Sequence, residues 1–269
     1  MTQNHLGRGF ADPAAMDASA LIEALRKQEA NGEAAERYEI KYEMLALRPG
    51  ERVLDFGCGA GRDLTRMAPL VGSDGSVVGI DINQSLVAHT QQRIADAGLR
   101  NVRALHAIGG PLPFPDASFD VVHTERVLVF VADPDATMAE MVRVTRPGGR
   151  VVCCEFDTVS FLDLDDMGLV QKVYARGGGF SRNAHMGRQL FRRFHRAGLV
   201  DVDVRGVLRT NTQQTIPLSM AADLEKALSE GAITRQEAQR FEEHVRALQE
   251  AGDLFTASPS FIARGTKPQ

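Results

Sequence analysis

The sequence predicts an α/β protein built on a doubly wound, mainly parallel sheet. Three observations predict it. Short β-branched runs alternate with helical stretches from residue 52 to residue 156. The first run empties into glycines at alternate positions, Gly57, Gly59 and Gly61, and then into a helical stretch. The segments between runs have the length of crossover helices rather than hairpin turns.

Each element has its own signal. Residues 1–17 are polar, small and punctuated by Gly and Pro, and read as a loose arm or a lid. Residues 21–47 read as helical, with Leu21, Ile22 and Leu25 apolar, a break at Asn31-Gly32, then Tyr38, Tyr42 and Leu45, and an end at Pro49-Gly50. Strands follow at 52–56, 77–80, 102–106, 119–124 and 150–156. Helices stand at 61–70, 85–97 (closed by Gly98) and 135–145, and Pro147-Gly148-Gly149 reads as a turn. Residues 158–187, acidic and then glycine-rich, fit no sheet element. A helix at 189–197, a strand at 200–208, two helices over 219–249 separated by Gly231, and a short strand at 260–263 complete the reading.

Composition narrows the function classes. The 269 residues are 43% hydrophobic and 25% charged, ordinary for a chain with a packed core. The net charge of -4 argues against nucleic-acid binding, and Arg192, Arg193 and Arg196 read as one solvated helix face. Three cysteines, two of them adjacent at Cys153 and Cys154, suit neither a disulfide framework nor a metal site. Neighbouring strand residues point to opposite faces. With no signal segment and no apolar stretch of ~20 residues, a cytoplasmic chain without membrane insertion is expected, with a homodimer left open.

The chemistry concentrates in Val53-Leu54-Asp55-Phe56-Gly57-Cys58-Gly59-Ala60-Gly61. Glycines let the backbone approach a ligand, and the helix start offers free N–H groups. A dinucleotide fingerprint needs glycine where Arg62 stands, which places a nicotinamide oxidoreductase last. Asp55, two residues before the first glycine, suits a ligand carrying an ammonium better than a pyrophosphate. S-adenosylmethionine has the ammonium and no phosphate. Asp81 ends the next strand about 20 residues past Gly61, where a carboxylate can accept both ribose hydroxyls; the competing role is a helix N-cap. Ile82 stands ready to cover an adenine.

With Leu112-Pro113-Phe114-Pro115-Asp116-Ala117-Ser118-Phe119-Asp120 and Arg146-Pro147-Gly148-Gly149-Arg150, these motifs resemble the S-adenosylmethionine-dependent class I methyltransferases, in particular the ubiquinone/menaquinone-methyltransferase-like small-molecule group. The resemblance implies a Rossmann-like, seven-stranded sheet with an antiparallel last strand. It also implies a helical N-terminal lid over residues 1–48, a cofactor-binding core at 49–157, an acceptor-cap insertion at 158–187, and the rest of the core at 188–269 with a helical insertion near 219–250. Its cofactor residues fall on Tyr38, Asp55, Gly57, Cys58, Gly59 and Gly61, then on Asp81, Ile82, Ile108, Gly109, Thr124 and Glu125. Ile108 stands where relatives carry an acidic adenine contact, and Val129-Phe130 where they often carry Gln-His, so the local wall is more apolar.

The implied activity is methyl transfer to a small-molecule acceptor of a natural-product kind, in secondary metabolism. Two other readings stand beside it: a cyclase or eliminase using the cofactor as scaffold, and a non-catalytic cofactor-binding partner subunit. The candidate bases are His185, before a helix, His123, late in the fourth strand, and Asp157, just past the fifth; strand C-terminal ends face the site in such sheets. Met138 and Met141 read as core. No metal is expected.

Overall fold

The computed structural model describes residues 19, 22–23, 35–107, 110–157, 161–174, 181–212 and 220–269. Helix α1 is Ala35–Leu45, and β1 (Arg52–Phe56), α2 (Arg62–Val71), β2 (Ser76–Asp81), α3 (Gln84–Asp96) and β3 (Val102–His106) follow. Then come β4 (Phe119–Glu125), α4 (Pro134–Val144), β5 (Thr145–Phe156), β6 (Phe161–Leu162), α5 (Met167–Tyr174) and α6 (Met186–Arg196). Strand β7 (Val200–Asn211), α7 (Met220–Ser229), α8 (Arg235–Ala251) and β8 (Thr256–Thr266) close the order.

The strands lie in the order β3-β2-β1-β4-β5-β8, with β6 and β7 both paired to β8. The first five run parallel, and β8 is antiparallel to β5 and β7. The doubly wound sheet with an antiparallel last strand is therefore as expected. The strand count differs from seven because Phe161 and Leu162, in a stretch read as free of sheet, pair with Ala257 and Thr256.

Two apolar clusters sandwich the sheet. Val53, Val121, Val152 and Cys154 pack under α1, α2 and α3 on one face. Leu54, Val122, Val151 and Cys153 pack against α4 and α6 on the other. Alternation along each strand makes this assignment, and it sends Cys153 and Cys154 to opposite faces. Met138 and Met141 are buried in the second cluster. Arg150 ties α1 to the sheet: its guanidinium donates to Leu45 O and Ala46 O and pairs with Glu51 at 2.7 Å.

Two local expectations need correction. Pro147-Gly148-Gly149 is not a free turn: Gly148 N donates to Lys267 O and Lys267 N to Gly149 O, so the segment is stitched into β5. The stretch 158–187, read as fitting no sheet element, holds β6, and α5 follows it. The hydrophobic Leu169, Val170 and Val173 bury one side of that helix. Of the expected arm and lid, residues 1–18 lie outside the described residues, as do 24–34.

A third apolar cluster is separate from the two that sandwich the sheet. Leu162, Leu164, Leu169, Val173, Met220, Leu224, Phe241 and Val245 bring α5, α7 and α8 together around β6. Strand β5 ends at Phe156, opposite Ser260, whereas β6 meets β8 at Ala257 and Thr256. Since β8 runs antiparallel, this helical cap sits beyond the C-terminal edge of the parallel strands, where doubly wound sheets bind ligands.

Candidate active site

The turn from β1 into α2 forms a cradle. Gly57, Gly59 and Gly61 all have positive φ, at 79°, 52° and 75°. A Cβ on Gly57 would run into Val127 and one on Gly61 into Thr90, so conformation and space both demand glycine. Gly57 N and Cys58 N donate to Ile80 O at 2.8 and 2.9 Å. Cys58 is buried, with its sulfur filling the space beside Gly79, and burial pushes its thiol well above the usual range. Helix α2 follows Gly61, and no side chain caps its start.

At the end of β2, Asp81 accepts from Gly59 N at 2.9 Å and from Asn83 N at 2.8 Å. It does not cap α3. Asn83 does, accepting from Ser85 N and Leu86 N. Desolvation raises the Asp81 carboxyl above its ordinary range, against the backbone amides of Asn83, Gly59 and Ile82 that lower it. Ile82 beside it is 39% exposed, an apolar side chain on offer to a ligand. Ile108 and Gly109 lie outside the described residues.

One sheet face gathers the charges. Alternation puts Asp55, His123 and Glu125 on the face covered by α1 and α2. His123 Nδ1 pairs with Asp55 at 2.9 Å, both buried. Burial raises the Asp55 carboxyl, with the His123 contact opposing it. From α1, Lys41 is wholly buried and reaches Asp63 at 2.7 Å and Glu125 at 2.6 Å. Arg37 also pairs with Glu125, and Tyr42 donates to Asp63 at 2.7 Å. Burial works against every one of these charges. Lys41 nonetheless holds Asp63 below its usual range, and Lys41 with Arg37 holds Glu125 far below. The two carboxylates keep Lys41 charged in turn.

The Tyr38 ring lies among cations, 3.8 Å from the Arg62 guanidinium and 4.5 Å from Lys41 Nζ. Asp55, Asp63 and His123 each bring a ligand atom within 4.8 Å of the others. A metal could use that spacing, but the Lys41 ammonium already meets Asp63.

Thr124 requires a correction. It is fully buried, on the face opposite Asp55 by alternation, and its hydroxyl donates to Phe56 O at 2.8 Å. Its side chain ties β4 to β1 and only its backbone can line the cradle. Glu125 is on the right face but is committed to α1.

His185, the first candidate base, is the N-cap residue of α6, is half-buried, and makes no side-chain cap bond. Its Nδ1 is buried without a partner, as is the Ser181 hydroxyl four residues earlier. Asn183 fastens this segment to the turn after β4, its side-chain amide donating to Leu128 O and Val131 O and its backbone amide to Val129 O. Asp157 is buried and engaged by Arg188 through both the backbone amide and the guanidinium. Val129 is buried in the second apolar cluster with Phe130 packed against it, so that wall is apolar. In the cap, the Tyr174 hydroxyl is buried without a partner.

The donor set fits a ligand with an ammonium, a ribose and an apolar ring: Asp55 for the first, Asp81 for the second, Ile82 for the third. Reading the sequence missed Lys41, Arg37, Asp63 and Ser181. Two of them carried a usable signal: Arg37 and Lys41 are four apart on one helix face.

Comparison with known proteins agrees with this geometry. A methyltransferase-domain family model matches residues 47–197. An uncharacterised 37.1 kDa protein of transposon TN4556 from Streptomyces fradiae is 34% identical over 247 residues, covering 87% of this chain and 68% of its own. The ubiquinone/menaquinone biosynthesis C-methyltransferase UbiE of Teredinibacter turnerae is 42% identical over 115 residues, 42% of this chain and 46% of that enzyme. The chain thus matches about half the length of such enzymes. A SAM-dependent methyltransferase structure from Aquifex aeolicus superposes with a TM-score of 0.53 at 21% identity, covering 71% of this chain and 92% of that one. At that identity it speaks for the fold alone.

Proposed function

Because the chain belongs to the methyltransferase-domain family, whose cofactor is S-adenosylmethionine, we propose that it transfers the cofactor's methyl group to a small, largely apolar acceptor of the kind made in secondary metabolism. One observation supports the choice of acceptor: the helices α5, α7 and α8 gather around β6 beyond the C-terminal edge of the parallel strands, and the wall after β4 at Val129 and Phe130 is apolar. A capped site with an apolar wall suits a small molecule rather than a polymer.

When bound, the cofactor supplies an electrophilic methyl on a sulfonium. The chain's part is to hold. Asp55 would take the ammonium, Asp81 the ribose and Ile82 the adenine face. Fixing the acceptor in line can account for roughly 7–11 kcal/mol of the barrier. Where the acceptor is a hydroxyl, a base helps. His185 is the choice: its Nδ1 is buried without a partner at the start of α6, whereas His123, whose Nε2 is likewise without a partner, is held to Asp55 under α1, and Asp157 is tied to Arg188. Ser181 would meet the same polar group. The free thiols at Cys58, Cys153 and Cys154 support a cytoplasmic setting, and no helix among the described residues is long and apolar enough to cross a membrane.

The test is to incubate the chain with S-adenosylmethionine and fractionated metabolites, following both products. Methyl transfer gives a compound heavier by one methylene and one S-adenosylhomocysteine per turnover. A product formed with no S-adenosylhomocysteine would overturn transfer in favour of scaffolded cyclisation.

A further inference from the structure

Glu155 has no part in the chemistry above, yet it is a buried carboxyl at the C-terminal end of β5. Its Oε1 accepts from Val127 N at 3.0 Å and from Leu128 N at 2.8 Å. Its Oε2 is buried without a partner. The two amides belong to the turn that follows β4, and that turn is strained. Arg126 sits in the left-handed region at φ 56°, which a side chain with a Cβ disfavours. Its amide is held by Cys154 O at 2.9 Å. The two amides that follow the left-handed Arg126 are both taken by Glu155 of β5. Such strain persists only where the surroundings over-determine it.

The turn matters because of where Val127 goes. Its side chain occupies the space into which a Cβ on Gly57 would project, closing directly on the first glycine of the cradle. A chain of contacts therefore runs from the carboxyl to two amides, to Val127, to Gly57. We propose that Glu155 is a positioning residue for the cofactor cradle, clamping the turn after β4 so that Val127 seats against Gly57. This rests on the reading of the cradle as the S-adenosylmethionine site.

The neighbouring acidic and thiol groups do not offer the same service. Glu125 is committed to Lys41 and Arg37 on the opposite face, and Asp157 to Arg188. Cys153, on the same face of β5, is a buried thiol with no acceptor strength to match a carboxyl.

The experiment compares Glu155→Ala, Glu155→Gln and Val127→Gly with the wild type by calorimetric titration of S-adenosylmethionine and S-adenosylhomocysteine, with a thermal melt of each. Glu155→Ala is expected to weaken both ligands by tenfold or more, and equally, since the cradle meets the part they share. Glu155→Gln keeps a carbonyl oxygen for the two amides and should restore affinity to within about threefold of wild type. Val127→Gly leaves the clamp intact but removes the side chain it seats; it should weaken both ligands by tenfold or more, and it decides the matter should Glu155→Ala fail to fold. A Glu155→Ala protein that binds as the wild type does overturns the proposal, and so does a Val127→Gly protein that does. A Gln variant as weak as the Ala variant overturns it too, because charge rather than placement would then be at work. A wild-type chain that binds neither ligand overturns the cofactor reading beneath it, which distinguishes the two failures.

Discussion

His123 Nδ1 and Asp55 Oδ1 lie 2.9 Å apart across the β1–β4 ladder, with both side chains shut off from water. Asp55 therefore meets an imidazole on one side and, by the proposed reading, the cofactor's ammonium on another. Asp55→Asn keeps the shape and removes the charge. A charge-assisted hydrogen bond contributes about 1.5–3 kcal/mol, so S-adenosylmethionine should bind tenfold or more weakly. Methylthioadenosine, which lacks the amino-acid end, should bind as it does to wild type. Equal losses for the two ligands in titration calorimetry would remove Asp55 from the ammonium role.

Asp81 and Asn83 separate binding from capping. Asn83→Ala removes the cap of α3, worth about 1 kcal/mol, and should lower the melting temperature by about 2–4 °C while leaving cofactor affinity intact. Asp81→Ala should reduce affinity by tenfold or more. If the two variants exchange these phenotypes, Asp81 has no ribose role.

Lys41 stands between Asp63 and Glu125 with no exposure at all. Lys41→Met leaves two buried carboxylates without their shared cation, and breaking such a pair costs about 3–5 kcal/mol. The pH dependence has a definite sign. Both carboxyls are held below their ordinary range, so their contribution is present above the unfolded carboxylate range and is lost as pH falls through the lower folded values. Wild-type melts should fall off on acidification below about pH 4. Lys41→Met should instead gain stability between neutral pH and pH 5, as its stranded carboxyls take up protons. Parallel pH curves for the two proteins would count against the cluster.

Glu155 titrates the other way. Burial pushes its carboxyl up to about 8, against the backbone amides of Leu128, Val127 and Val129 that lower it. A raised acid favours the folded state below the unfolded pKa and loses that contribution as pH rises through the folded value. Each pH unit within that window costs the wild type up to about 1.4 kcal/mol. Glu155→Gln carries no such cost, so its melting temperature should gain on the wild type steadily from pH 5 to pH 8. A constant difference over that range would show that Glu155 folds as a carboxylate.

His185 is the remaining test of chemistry. With an acceptor in hand, His185→Ala should lower kcat by ~10²–10⁴, the range for loss of a general base, with cofactor affinity unchanged. A near-normal kcat would leave proximity as the source of the rate.

Much of this was legible in the sequence for a physical reason: the cradle is local. Gly57, Gly59, Gly61 and Asp81 report their backbone demands within one strand–turn–helix unit and the next strand, and Asn83 two residues on reports the cap. The ion cluster is not local. Lys41, Asp63 and Glu125 come from α1, α2 and β4, and nothing along the chain announces that a lysine on an N-terminal helix will lose all contact with water. Thr124 shows a subtler failure. It stands between two residues that reach the charged face, His123 and Glu125, so alternation alone should have turned it away from the cradle. In Pro147-Gly148-Gly149 the turn chemistry was read correctly, but a partner 118 or more residues later, Lys267, recruits it to the sheet.

The position of β8 bears on how the chain is assembled in time. Strand β8 lies between β5 and β7, yet it is synthesised after both. Until it arrives, two long strand edges wait without partners, and exposed edges invite pairing with other chains. The parallel half of the sheet can collapse early around α2 and α3 from contacts close in sequence. Closure of the other half depends on a late, long-range insertion, the slow kind of step in folding. The nascent protein should therefore pass through a half-built, adhesive stage, and the speed with which β8 slides home decides how much of it escapes aggregation.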